Sequence, residues 1–165
     1  MKTTFLPFLI LASAVAGASE LPDPTRTPGA VNETISARDY QQLCNERGWT
    51  KLYRPSSGFT NSLKRLQMRQ YGYSDRDPRD YEEDHLVPLC LAGAPQDPHN
   101  LWPQPRAGEW NAERKDKLEA ALCRAVCSGR VDLKQAQRDI ARDWIAAYEK
   151  YVHEHRRRAK LAAGP

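Results

Sequence analysis

The chain has 165 residues, of which 40% are apolar, and 25 basic side chains against 21 acidic ones leave a formal charge of +4. This length suits one small domain, and the apolar content excludes a disordered chain. Beyond the N-terminal segment no apolar run could span a bilayer, which excludes an integral membrane protein. The modest positive charge favours an anionic partner only where basic residues cluster.

The N-terminus has the pattern of a secretory signal peptide. Lys2 precedes an apolar stretch over residues 5–15, and residues 16–18 (Ala-Gly-Ala) place small side chains before a cleavage site. An apolar run of this length is short for a membrane anchor, which needs about 20 residues. We therefore predict cleavage after Ala18 and a mature protein that is secreted or periplasmic, with no membrane association.

The four cysteines form an even set, which is expected to pair in an oxidising compartment. Cys123 and Cys127 lie four residues apart on one predicted helix, where disulfide geometry is poor. Cys44 is therefore expected to pair with Cys127 or with Cys123, and Cys90 takes the remaining partner. A zinc site on these thiols is disfavoured, because the sequence has no C-x-x-C motif and no suitably spaced histidines.

The N-terminal half is predicted to hold a leader, two helices and one short strand. Residues 19–31 are rich in Pro, Thr and Gly and indicate a flexible leader. A capping box at Ser36 begins the first helix, which ends at Gly48, and residues 49–54 are predicted to form a strand. An amphipathic helix follows over residues 61–71. Its inward residues are predicted to be Leu63, Leu66 and Tyr71, and its solvent-facing cations Lys64, Arg65 and Arg69.

Two longer helices are predicted in the C-terminal half, over residues 108–126 and 132–151. The second carries a regular apolar stripe that indicates a core face. Its members are Leu133, Ala136, Ile140, Trp144, Ala147, Tyr148 and Tyr151. Residues 152–165 then form a basic tail.

The middle of the chain, about residues 81–126, has the pattern strand, loop, strand and helix. Asp84 and His85 fall late in the first strand, and Asn100 opens the second. A hairpin would bring these residues together. On the helix that follows, helical periodicity places three further polar residues on one side. They are Asn111, Lys115 and Glu119.

These residue types suit phosphodiester hydrolysis. A neutral imidazole such as His85 can accept the proton of an attacking water near neutral pH. A hard divalent cation held by oxygen donors, here Asp84 and Asn111, can neutralise charge that develops on the phosphate. The alternative is structural, with Asp84 and His85 as a polar strand end and Asn111 as a polar helix start.

Three sequence blocks resemble the HNH, or ββα-metal, endonucleases, and small secreted bacterial proteins of that family in particular. The blocks are D-H-x-x-P-L at residues 84–89, N-L-W-P-Q at 100–104 and N-A-x-x-K-D-x-L-E at 111–119. The resemblance implies an α+β fold: a small, mostly helical domain over residues 32–151, stapled by disulfides around a ββα-metal core.

The resemblance also implies a role for each residue. His85 matches the general base, Asp84 the metal-binding acid, and Asn100 the residue that pins the loop and orients the base. Asn111 matches the helix residue that completes the metal shell. Glu119 resembles a carboxylate behind that shell, whereas Lys115 stands where many relatives carry His or Lys. Because the helix holds no histidine, a single Mg²⁺ or another divalent cation is expected rather than zinc.

Nucleic-acid binding is expected to be electrostatic and independent of base sequence. The candidate phosphate contacts are Lys64, Arg65 and Arg69, together with Arg156, Arg157, Arg158 and Lys160 in the tail. The expected activity is that of a Mg²⁺-dependent endonuclease acting on DNA, with RNA as a second substrate. The alternative, which Lys115 keeps open, is a catalytically inactive relative that binds nucleic acid or a protein.

Overall fold

The computed structural model describes residues 19–153 as a mixture of helices and one small antiparallel sheet, in agreement with the predicted α+β class. Short 3₁₀ turns and a π turn, at Trp49–Leu52, Pro78–Asp80, Leu89–Leu91 and Glu149–His153, lie between or after the longer elements. The longer elements are α1 (Ala37–Leu43), α2 (Ser57–Gln70), β1 (Tyr81–His85), β2 (Leu101–Pro105), α3 (Ala112–Cys127), α4 (Leu133–Arg142) and α5 (Trp144–Tyr148).

The hairpin of β1 and β2 lies between two clusters of buried side chains. Its register pairs Asp84 with Trp102 and His85 with Leu101. Because side chains alternate across a strand, the two faces of the hairpin meet different partners. Trp102 is fully buried in the main core with Leu118 and Leu122 of α3. On β1, Tyr81 packs in a separate cluster with Met68 of α2 and Tyr73.

Helix α2 begins earlier and buries a different face than predicted. Ser56 accepts a hydrogen bond from the backbone N–H of Phe59 and caps the helix, so the helix begins at Ser57 rather than near residue 61. Leu66 is 43% exposed, whereas Gln67 and Met68 are buried. Gln67 Nε2 donates to the backbone carbonyls of Pro98 and Leu101. A polar residue is buried here because the neighbouring segment presents carbonyls that need donors.

The predicted strand over residues 49–54 is instead a 3₁₀ turn, Trp49–Leu52. Gly48 has φ 78°, a left-handed conformation that redirects the chain at the start of this turn. The Trp49 ring then packs edge-on against Tyr40 and Tyr53, with centroid distances of 6.3 and 5.7 Å. Aromatic packing, which a strand pattern does not reveal, therefore decides the conformation of this segment.

The C-terminal helices follow the prediction in their buried stripe but not in their continuity. The stripe residues Ala136, Ile140 and Trp144 are fully buried. Asp143 interrupts the helix with φ −164° and ψ 98°. Its Oδ1 accepts hydrogen bonds from the N–H groups of Ile145 and Ala146, so Asp143 ends α4 and caps α5.

Residues 19–31, named the N-terminal strap below, pack against the domain and so differ from the flexible leader that composition predicts. Thr27 is 1% exposed, and its Oγ1 donates to the Leu101 carbonyl at 3.1 Å. Glu20 O accepts a hydrogen bond from Trp144 Nε1, and Val31 forms a β-bridge with Gly93. These contacts join segments far apart in sequence, which composition cannot indicate.

Two disulfides connect the helices to the rest of the domain, Cys44–Cys127 and Cys90–Cys123. The expectation that Cys123 and Cys127 do not pair with each other is confirmed, and of the two partners left open for Cys44 the structure selects Cys127. Between residues 19 and 153, none of the helices has both the length and the apolar character that crossing a bilayer requires. The predicted signal peptide, residues 1–18, lies outside the described part of the chain.

Candidate active site

The loop between β1 and β2, residues 86–100, is closed at its base by Asn100. This side chain is fully buried, and its Oδ1 accepts a hydrogen bond from the N–H of Val87 at 2.8 Å. Its Nδ2 donates to the carbonyls of Val87 at 2.9 Å and Ala94 at 3.0 Å. Asn100 therefore joins the two ends of the loop through its side chain.

The loop returns a backbone carbonyl to His85 at the end of β1. His85 Nε2 lies 2.9 Å from Pro95 O. A carbonyl only accepts hydrogen bonds, so Nε2 carries the proton and Nδ1 keeps its lone pair. The imidazole is 8% exposed, and burial lowers the pKa of His85 below its ordinary value. The ring is thus neutral near pH 7, with Nδ1 in the form that accepts a proton.

Lys115 of α3 links the helix to the end of β1. It is fully buried, and its Nζ donates to Asp84 Oδ2 at 2.6 Å and to the His85 carbonyl at 2.7 Å. The third donor hydrogen goes to Glu119 Oε1, one helical turn along, at 2.5 Å. All three N–H bonds of the ammonium group are therefore used.

The opposite charges of this cluster stabilise one another in their ionised forms. Burial lowers the pKa of Lys115, but the carboxylates of Asp84 and Glu119 outweigh that effect, so its pKa lies above the ordinary value. Burial raises the pKa of Glu119, and the neighbouring ammonium opposes that rise. The arrangement is a buried lysine between two partly buried carboxylates, so removal of the lysine leaves both carboxylates without their counter-ion.

The predicted helix start at residue 108 would place Asn111 within the helix. In the structure α3 begins at Ala112, and Asn111 is its N-terminal cap. Its side chain accepts a hydrogen bond from the N–H of Arg114 at 3.1 Å. The carboxamide oxygen therefore already serves the helix end, although an amide oxygen can accept a second contact. This capping contact agrees with the structural alternative, in which Asn111 is a polar residue at the start of the helix.

Asp84 and Asn111 offer oxygen donors, the ligand type that hard cations prefer, rather than the nitrogen and sulfur ligands typical of zinc. Asp84 Oδ1 accepts no hydrogen bond from the described residues, and Asn111 adds a neutral oxygen donor. Residues 19–153 contain no group of three or more His, Cys, Asp or Glu side chains arranged to hold a metal. Mg²⁺ commonly binds through one or two protein oxygens and keeps several waters, whereas zinc sites use three or four protein ligands.

Two polar side chains near this site have buried atoms that the sequence pattern did not predict. Neither oxygen of Glu83 has a hydrogen-bond partner among the described residues, and burial raises its pKa to about 8. Gln104 is fully buried, and both its amide atoms lack partners in the same part of the chain. Strand alternation places Gln104 on the same face as Trp102, which is the signal that could have identified it.

The candidate phosphate contacts divide into three groups. Lys64 is half-buried and donates to the carbonyls of Pro78 and Tyr81, so it anchors α2 instead of facing solvent as expected. Burial lowers the pKa of Lys64, with a further contribution from the charge of Arg106. Arg65 and Arg69 are exposed on α2. The cluster of Arg156, Arg157, Arg158 and Lys160 lies outside the described residues.

Comparison with models of known protein families, with curated protein sequences and with solved structures gives no match. The functional assignment therefore depends on the residues and geometry of this chain.

Proposed function

We propose that the protein is an exported, metal-dependent endonuclease of the HNH type that hydrolyses phosphodiester bonds of nucleic acids with little sequence specificity. The observation that carries this proposal is the contact of His85 Nε2 with Pro95 O. That contact leaves Nδ1 as an unprotonated base, and the adjoining residue Asp84 supplies a carboxylate.

Each side chain has a defined task in this proposal. His85 Nδ1 accepts the proton of the attacking water, while Pro95 O, on the loop that Asn100 closes, holds the ring in one tautomer. Asp84 Oδ1 and the Asn111 carboxamide would hold Mg²⁺ or another divalent cation. When bound, the cation neutralises charge on the phosphate oxygens. Lys115 keeps α3 against Asp84 and the His85 carbonyl, and Glu119 balances its charge.

Charge and cysteine use support the proposed substrate and compartment. Contacts from exposed cations such as Arg65 and Arg69 bind the phosphate backbone without reading bases. DNA is proposed as the first substrate and RNA as the second. The two disulfides support export, because such bonds persist in oxidising compartments.

The test is cleavage of supercoiled plasmid by the refolded mature protein with Mg²⁺, with EDTA, and with two histidine variants. His85→Ala is expected to lower the rate by about 10²- to 10⁴-fold, the usual contribution of a general base. His99→Ala is the matched control, because within residues 19–153 the side chain of this exposed histidine hydrogen-bonds only to Asp97 of its own loop. Equal rates for His85→Ala and wild type, or undiminished cleavage in EDTA, would contradict the proposal.

A second candidate is a catalytically inactive protein that binds nucleic acid or a protein partner. It is favoured by the Lys115 ammonium, which already occupies one oxygen of Asp84 at 2.6 Å. Calorimetry distinguishes the two: the nuclease proposal expects wild type to bind Mg²⁺ and Asp84→Asn to bind it more weakly. Binding of DNA without either Mg²⁺ binding or cleavage would select the inactive protein.

A further inference from the structure

A groove lies on the domain between the N-terminal strap and α4. Its volume is about 730 Å³. Pro24, Pro28, Gly29 and Val31 form the strap side, and α4 forms the other. The strap and α4 are in close contact at Gly29, where an added Cβ would lie 2.7 Å from Ala141 Cβ. The strap is also hydrogen-bonded to the loop between β1 and β2, because the N–H groups of Gly29 and Ala30 donate to the His99 carbonyl.

The α4 side of the groove carries a row of three cations. Lys134, Arg138 and Arg142 all line it, are exposed, and form no ion pair within residues 19–153. They are spaced four residues apart, so each lies about 6 Å further along the helix axis than the one before. The row therefore extends over about 12 Å on one side of the helix.

The carboxylate that lines the groove does not cancel this positive charge. Asp139 Oδ2 accepts hydrogen bonds from Lys150 Nζ at 2.7 Å and from Tyr151 OH at 2.6 Å. Its Oδ1 accepts one from Gln135 Nε2 at 2.6 Å. Asp139 is thus neutralised by Lys150, its own salt-bridge partner, and the three cations of α4 keep a net positive field in the groove.

The length of the row distinguishes between kinds of anion. The backbone positions of the three cations extend over about 12 Å, a length that suits a linear polyanion better than a single phosphate or carboxylate. One strand of duplex DNA advances about 3.4 Å per phosphate, so the row spans about three to four steps from one phosphate to the next. Guanidinium groups such as Arg138 and Arg142 bind phosphate oxygens through paired N–H donors. The apolar strap wall suits the sugar side of such a backbone.

We propose that this groove binds the sugar–phosphate backbone of a nucleic acid through Lys134, Arg138 and Arg142. The choice of nucleic acid over another polyanion rests on the proposed nuclease function. The groove would hold a strand on a surface other than the one that α2 presents with Arg65 and Arg69.

The experiment measures binding of a fluorescein-labelled 20-base-pair DNA by anisotropy in EDTA, where cleavage does not contribute, over a range of salt concentrations. The test variant is Lys134→Gln/Arg138→Gln/Arg142→Gln. The control variant, Arg38→Gln/Arg47→Gln/Lys51→Gln, removes the same charge from exposed residues that do not line the groove. Circular dichroism and thermal melting verify that both variants fold.

The groove variant is expected to bind DNA about 10- to 100-fold more weakly near 100 mM salt, with a slope of log K against log salt reduced by up to about 2.7. The control should stay within about threefold of wild type. Equal losses in both variants, no loss in the groove variant, or no DNA binding by wild type would overturn the proposal. Tighter binding of polyglutamate than of DNA would assign the groove to acidic polypeptides instead.

The outcomes also separate this inference from the proposed function. Cleavage by wild type with unchanged DNA binding by the groove variant would contradict the groove proposal and support the nuclease proposal. Weakened DNA binding by the groove variant, without any cleavage by wild type, would contradict the nuclease proposal and support the groove as a nucleic-acid-binding site.

Discussion

Between residues 19 and 153, Lys115 is more completely buried than any other Lys, Arg, Asp or Glu side chain. It is fully buried, and its three donors go to Asp84, the His85 carbonyl and Glu119. Removing a charge from such a cluster costs far more than removing an exposed one, because the remaining carboxylates lose their counter-ion in a poorly solvated place. The position therefore tests whether the site depends on this single ammonium group.

We predict that Lys115→Met lowers the free energy of unfolding by about 3 to 5 kcal/mol. Lys117→Met is the matched control on the same helix, since Lys117 pairs with Glu113 at the surface and should cost under about 1 kcal/mol. Urea denaturation measures both. Equal losses for the two lysines would contradict the prediction.

Glu83 makes the stability of the fold depend on pH. Burial raises its folded pKa to about 8, above its ordinary value of 4.5, so the folded protein holds a proton that the unfolded chain releases. The stabilising contribution of this proton is complete below pH 4.5 and is lost as pH rises through about 8.

Glu83→Gln should therefore raise the urea midpoint relative to wild type at pH 8 and leave it nearly unchanged at pH 4. The amide keeps the shape of the side chain but cannot ionise. Glu33→Gln, at an exposed carboxylate, is the control and should show no such pH dependence. A Glu83→Gln midpoint that follows the wild-type curve from pH 4 to 8 would disprove this account.

The loop over residues 86–100 acts as one element, because its shape sets the carbonyl that contacts His85. At Gly93 the backbone approaches so closely that an added Cβ would lie 1.8 Å from the Val87 carbonyl oxygen and 2.8 Å from Asn100 Nδ2. No rotation of a side chain relieves a clash with a backbone atom. The closure by Asn100 thus requires glycine at this point of the loop.

Gly93→Ala is expected to destabilise the protein by about 3 kcal/mol or more and to reduce cleavage, because the Asn100 contacts must open. Gly58→Ala in α2 is the control. A Cβ at Gly58 meets nothing within 4 Å, and alanine in a helix is favoured over glycine by about 0.5 to 1 kcal/mol. Thermal melting and the plasmid assay measure the two effects. Similar melting temperatures for both variants would contradict the loop argument.

Across the whole molecule, the two disulfides close loops of different length. Cys44 and Cys127 are 83 residues apart, and Cys90 and Cys123 are 33 apart. In the chain-entropy account a bridge stabilises by restricting the unfolded chain, and more so for the longer loop. Both bridges end on α3, so they connect α1 and the loop after β1 to the helix that carries Lys115.

We predict no free thiol in the native protein. The pair Cys44→Ser/Cys127→Ser should cost about 4.5 kcal/mol, and Cys90→Ser/Cys123→Ser about 3.7 kcal/mol. Thiol titration before and after denaturation, with guanidinium unfolding of each pair, provides the measurement. Two or more titratable thiols in native protein, or a larger loss for the shorter loop, would count against this prediction.

Local patterns in the sequence were sufficient for much of this architecture. The cap at Ser36, the apolar stripe of α4 and α5, and the hairpin that joins Asp84 to the segment after Asn100 were all predicted and are present. These features depend on contacts within a turn or on a simple periodicity, so their signals lie within a few residues. The assignment of metal, substrate and catalytic roles stays a prediction.

Tertiary contacts decided the rest, because they join residues whose spacing carries no signal. The partners of Lys115, the burial of Glu83, the choice of Cys127 for Cys44, and the packing of the N-terminal strap each depend on distant segments. A lysine on a helix is solvated by default, and only the carboxylates that the hairpin and α3 bring to it make burial favourable. The groove beside α4 likewise exists only because the strap folds back over that helix.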